Sequence, residues 1–148
     1  MKFNLAFFII AMTLISVSIE ANTTAPKKLP LCLNTPNCVS SQADNTDKQH
    51  YIEPFKISGT TFDAWDALIK AINKHGRMVI THQTDDTLHA EATSLILHFV
   101  DDINAVLDNK TNLIHIRSAS RTGHSDFGVN RKRIEELRMQ LQKAHVIE

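Results

Sequence analysis

Cysteine is scarce in this chain of 148 residues: there are two, Cys32 and Cys38. That sets aside a multi-disulfide scaffold, and two cysteines alone make no zinc site. Their spacing, Cys32-Leu-Asn-Thr-Pro-Asn-Cys38, is not Cys-x-x-Cys, so a thioredoxin-like redox role is disfavoured. Four glycines and four prolines are too few for a low-complexity linker protein. Net charge is missing too, because 16 basic side chains balance 16 acidic ones. A nucleic-acid binder needs a basic surface to displace phosphate counterions, and a polybasic membrane-surface protein needs the same excess. Nor does any apolar run reach the roughly 20 residues of a spanning helix.

What is present suits one ordinary globular domain: 43% apolar and 22% charged residues. The N-terminus has a different character. Met1-Lys2 is weakly positive, Leu5 to Val17 is an apolar run of 13 residues, and Ser16, Ser18, Ala21 and Asn22 give it a small or polar exit. These are the three parts of a secretory leader. Residues 1–21 are expected to be a cleavable signal peptide, and cleavage after Ser18 or after Ala21 both fit. Cys32 lies too far past the run, behind Pro30-Leu31, to be a lipidation site. Residues 22–31 (NTTAPKKLPL) read as a linker and residues 32–148 as a single domain. The expected location is exported, periplasmic in a Gram-negative cell and secreted otherwise, with no membrane span after cleavage. Export permits a disulfide, and the short loop holding Pro36 can fold back, so a structural Cys32–Cys38 bridge at the domain edge is expected.

Residues 39–50 read as loop. Tyr51 to Ile57 is strand-like, with Pro54 confining it to a sheet edge. A helix follows, capped by Thr60 or Thr61 with Asp63 in its first turn. Its apolar stripe is Phe62, Trp65, Leu68, Ile69 and Ile72, and Gly76 stops it. Trp65 reads as a core residue. Strands are expected at 78–82, at 88–99 with a bend near Ser94, at 103–107 and at 113–121. Gln83 to Thr87, Asp101-Asp102 and Asp108 to Asn112 read as turns. A helix over 129–143 carries Asn130, Ile134, Leu137 and Leu141 on one stripe. Arg131, Glu135 and Arg138 face elsewhere and can pair. The expected fold is α+β: an antiparallel sheet of about five strands with two packing helices, in the order β-α-β-β-β-β-α.

The densest polar stretch runs from Ile116 to Ile134 (IRSASRTGHSDFGVNRKRI). On a strand, Ser118 and Ser120 continue the face that Ile114 and Ile116 bury, while Arg117 and Arg121 share the other. Asp126 lies near a helix start, and Asn130 points inward and needs a partner. Three stretches carry a resemblance: Cys32-Leu-Asn-Thr-Pro-Asn-Cys-Val-Ser-Ser41, Phe99-Val-Asp-Asp102, and Arg117-Ser-Ala-Ser-Arg-Thr-Gly-His-Ser-Asp-Phe-Gly-Val-Asn-Arg-Lys-Arg133. Over about residues 31–141 the chain resembles the domain-of-unknown-function family numbered fourteen ninety-nine. That resemblance implies an exported or membrane-associated protein of the kind found in bacteria and plant plastids. It supplies no reaction, because no activity is established for the family.

Catalytic patterns fail on inspection. Gly123-His-Ser-Asp-Phe-Gly128 is not Gly-x-Ser-x-Gly, and adjacent His124, Ser125 and Asp126 point in different directions. Asp126-Phe-Gly128 matches a kinase triplet without the rest of a kinase. His82, His89, His98 and His115 read as hydrogen-bonding strand residues, and Asp101-Asp102 lacks a calcium loop. No metal or cofactor is expected. Asp101, Asp102, Arg117, Ser118, Ser120, Arg121, Ser125, Asp126, Asn130 and Arg131 form the candidate polar site. One reading has Arg117 and Arg121 paired to Asp101, Asp102 or Asp126 as a network pinning strand to helix. The other has Arg117, Arg121 and Arg131 lining a cleft for an anion or polar ligand at the helix N-terminus. The functional expectation is a non-catalytic exported module that binds a small anionic or polar ligand, or an envelope component. The alternatives are a hydrolase using His124 with Asp101 or Asp102, and a START-like helix-grip carrier of an apolar ligand.

Overall fold

The computed structural model describes residues 27–95, 98–122 and 128–148. The expected leader lies outside them, as do His124, Ser125 and Asp126. The elements run β1 (Cys38–Ser40), β2 (Phe55–Lys56), α1 (Thr61–Lys74), β3 (Met78–Gln83), β4 (Thr87–Thr93), β5 (Val100–Asp108), β6 (Leu113–Ser120) and α2 (Val129–Lys143). The fold is the expected α+β class, with a six-stranded sheet in the order β1-β6-β5-β4-β3. All its ladders are antiparallel. β1 pairs with residues 117–119 of β6 and β2 with residues 113–114, so the two short strands share one edge of β6 in series.

Four expectations need correction. Residues 39–50 were expected to be loop, yet β1 forms there, because Val39 buries its side chain in the core and Ser40 takes its place opposite Arg117. Asp101-Asp102 is no turn and lies inside β5, since each carboxylate finds a cationic partner on its own side of the sheet. β4 ends at Thr93 rather than at Phe99. Beyond it Phe99 N–H donates to Ser94 Oγ at 2.9 Å, and Ser94 N–H donates to the Phe99 carbonyl at 2.9 Å, closing the connection to β5. Phe62 is 77% exposed, because the buried face of α1 begins only at Ala64.

The rest of α1 follows its sequence. Asp63 N–H donates to Thr60 Oγ1 at 3.0 Å as the N-terminal cap, and Trp65, Leu68 and Ile72 are buried. Both helices cover one face of the sheet. There Phe55, Ile103, Ile114 and Ile116 meet Ile134, Leu137 and Leu141 of α2, all at 1% exposure or less. Each such side chain contributes about 1.5–3 kcal/mol by leaving water. Among the described residues no helix is long and apolar enough to cross a membrane.

Among the described residues no helix covers the opposite face. Residues 27–32 are tied to it instead. Cys32 is disulfide-bonded to Cys38, as expected, and Arg117 Nη2 donates to the Leu31 carbonyl at 3.5 Å. Leu29 N–H donates to Gln42 Oε1 at 2.8 Å, and Lys27 reaches Asp86 in the β3–β4 turn. Leu29, Val106 and Ala119 are buried but stand apart from the main core.

Candidate functional site

Strand register divides the candidate polar residues into two groups. Asp101 lies opposite Ser120, Ile103 opposite Ser118, and Asp102 opposite Ala119. Side chains alternate along a strand, so Asp101, Ser118 and Ser120 turn towards α2, whereas Asp102, Arg117 and Arg121 turn away from it.

The inner group is closed. Arg133 Nη2 meets Asp101 Oδ2 at 2.6 Å, with both side chains under 10% exposed. Arg133 Nη1 also donates to Ser118 Oγ at 2.9 Å and to Asn130 Oδ1 at 2.6 Å. Ser118 Oγ donates to Asn130 Oδ1, and Ser120 Oγ donates to Asp101 Oδ1 at 2.6 Å. Asn130 Nδ2 donates to the Asn37 carbonyl at 3.0 Å and to Ser120 Oγ at 3.2 Å. A buried charge persists only when paired and hydrogen-bonded. The cluster meets that requirement, and it seats the first turn of α2 on β1, β5 and β6.

Arg133 is absent from the sequence-derived site. A signal was available: Arg133 stands three residues after Asn130 and four before Leu137, both on the inward stripe, so it had to face the sheet.

The outer group is an open, ordered chain of side chains. Arg121 Nε lies 3.1 Å from both Asp102 oxygens, and Nη2 meets Asp102 Oδ1 at 2.7 Å and Glu91 Oε1 at 2.5 Å. His89 Nε2 lies 2.9 Å from Asp102 Oδ1, and His89 Nδ1 lies 2.5 Å from Thr81 Oγ1. The Arg121 hydrogen bonds hold the Asp102 carboxyl below the usual carboxylate range, against the opposing effect of partial burial and with further help from His89. The same contacts push the Arg121 guanidinium further up. His89 is a hydrogen-bonding strand residue, as expected, but Thr81, His89 and Glu91 are absent from the expected polar site because they belong to β3 and β4 and meet Asp102 and Arg121 only through cross-strand register.

Among the described residues Arg117 pairs with no carboxylate, and Asp126, one of its expected partners, lies outside them; Arg117 Nη1 donates to Asn104 Oδ1 at 3.3 Å. Its Nε is buried with no hydrogen-bond partner among the described residues. Burial pushes this guanidinium down, and Asp102 pulls it the other way. Arg131 is elsewhere: its Nη2 donates to the Lys48, Gln49 and Tyr51 carbonyls. Arg117, Arg121 and Arg131 therefore do not line one cleft. Of the pairs expected on α2, Arg138 Nε meets Glu135 Oε2 at 3.0 Å.

Residues 28–141 match the model of a family described as a protein of unknown function (DUF1499). The chain is a DUF1499 protein. No curated protein matches it. The DUF1499 match spans the segment tied to the outer face, the whole sheet and α2 to Leu141. Both polar groups therefore fall within the family region. Among the described residues of this DUF1499 chain, no three His, Cys, Asp or Glu side chains converge as metal ligands would.

Proposed function

We propose that this DUF1499 chain is an exported binding module whose contact surface is the outer sheet face around Asp102 and Arg121. One observation carries the reading. The chain of Glu91, Arg121, Asp102, His89 and Thr81 is fixed by mutual hydrogen bonds and lies on a face that no helix of the described residues covers. Exposed ion pairs of this kind add little to stability, so the fold does not account for them. The favoured ligand is a polar, hydroxyl- or amide-bearing group, either free or on an envelope component. An anion suits the face less well, because Arg121 is already shared by two carboxylates. The Cys32–Cys38 disulfide supports work outside the cytosol, where such bonds persist.

The two alternatives have less support. A helix-grip carrier needs room between sheet and α2, and Ile114, Ile116, Ile134, Leu137 and Leu141 fill that space. A hydrolase pairing His124 with Asp101 would need a carboxylate that Arg133 and Ser120 already engage. The test is native mass spectrometry of protein purified from its own host. We expect a retained species that disappears in the Asp102→Ala, Arg121→Ala double variant; a ligand-free chain, or a species indifferent to these changes, overturns the reading. Mature protein should begin at Ile19 or Asn22, and recovery of intact Met1 would argue against export.

A further inference from the structure

Three strands bring together a hydroxyl, an imidazole and a carboxylate on the outer face. Thr81 comes from β3, His89 from β4 and Asp102 from β5. A carboxylate can only accept, so Asp102 fixes the His89 proton on Nε2. In the neutral ring, Nδ1 is then the acceptor, and it faces Thr81 Oγ1 at 2.5 Å. Arg121 keeps Asp102 in its anionic, accepting form. The order is nucleophile, base and orienting group, the arrangement by which a weakly nucleophilic hydroxyl is activated.

The backbone is adapted to this contact. The β3–β4 ladder pairs Ile80 with Ala90 and His82 with His89, leaving Thr81 as the extra residue of a bulge. A bulge re-aims a side chain that regular alternation would place elsewhere. Here Ile80 packs against the core, while Thr81 and His82, one after the other, are both exposed. Thr81 is therefore open to solvent on one side and held against a base on the other.

We infer that Thr81 is a base-activated nucleophile that accepts an acyl group from an activated ester. Thr81 Oγ1 forms a bond to the carbonyl carbon as its proton passes to His89 Nδ1. The bond from that carbon to the leaving oxygen then breaks, and the departing alcohol takes the proton from His89. The products are an ester on Thr81 and the free alcohol, and His89 returns to its neutral form. Water attacking the same carbon with help from His89 would release the acid and restore Thr81.

This inference does not rest on the binding reading, and its test is independent of any retained ligand. The purified chain is incubated with p-nitrophenyl acetate and mapped by peptide mass spectrometry. Surface lysines acetylate without assistance and serve as the internal control. Thr81 should acquire an acetyl group, and His89→Ala should cut that modification by about 100-fold or more, the usual scale of base assistance, with lysine acetylation unchanged. Thr81→Ser should retain the reaction. Absence of acetyl on Thr81 in the native chain overturns the proposal, as does equal Thr81 acetylation in native and His89→Ala proteins.

Discussion

Asp101 and Asp102 are neighbours in β5 and face opposite sides of the sheet. Asp101 is sealed under α2 with Arg133, Ser120 and the rest of a closed network. Asp102 is held by Arg121 and His89 where water can reach it. The chemistry is the same and only the side differs. On the inner side a carboxylate is a structural element whose partner cannot be removed cheaply. On the outer side it orders its neighbours without supporting the core. The largest effect should therefore come from breaking the inner pair. Arg133→Ala should lower stability by about 3–5 kcal/mol, because it leaves Asp101 charged and buried without its cation. Denaturant unfolding measures this, and a loss no greater than that of an outer-face variant would erase the distinction.

The strongest tie on the outer side is covalent. Cys32→Ser should lower stability by about 2 kcal/mol through the opened loop, without abolishing the fold, as thermal or chemical unfolding would show. Quantitative labelling of the native, non-reduced protein should find no free thiol. The two outer arginines sharpen the comparison further. Among the described residues Arg117 holds no carboxylate and keeps a buried Nε unpartnered. Arg117→Met should leave the melting temperature unchanged or raise it, because it removes a desolvated charge and keeps an apolar stem. Arg121→Ala should leave the melting temperature near that of the native chain. A large loss from Arg121→Ala would make the outer array part of the fold.

The smallest expected effect depends on pH. Asp102 has a depressed folded value, so its contribution is present above the unfolded aspartate value of about 3.9. It is lost as pH falls from there through the lower folded value. Melting temperature should therefore drop more steeply on this acid side in the native chain than in Asp102→Asn. Parallel curves would remove Asp102 from the acid response.

Local chemistry made much of this fold legible. Thr60 with Asp63 marks the start of α1, the stripe through Ile134, Leu137 and Leu141 marks α2, and the alternation from Leu113 marks β6. The inward placement of Ser118 and Asn130 also followed from periodicity. What could not be read depends on partners distant in sequence. Two adjacent aspartates look like a turn until Arg133 and Arg121 are known to wait on opposite sides. β1 is three residues long and is a strand only because β6 lies beside it. The outer array needs the register of four strands and a bulge, none of which has a local signature in Thr81, His89 or Glu91.

The doubled aspartate also bears on how β5 finds its alignment. Slipping the strand by one residue would bring Asp102 to the position of Asp101, so the Arg133 ion pair could still form. The same slip would turn Asn104, Val106 and Asp108 inward in place of Ile103, Ala105 and Leu107. Charge attraction is thus nearly blind to the error, and apolar packing is what rejects it. The memory of the correct alignment is stored downstream of the ion pair, in every second residue from Ile103 to Leu107.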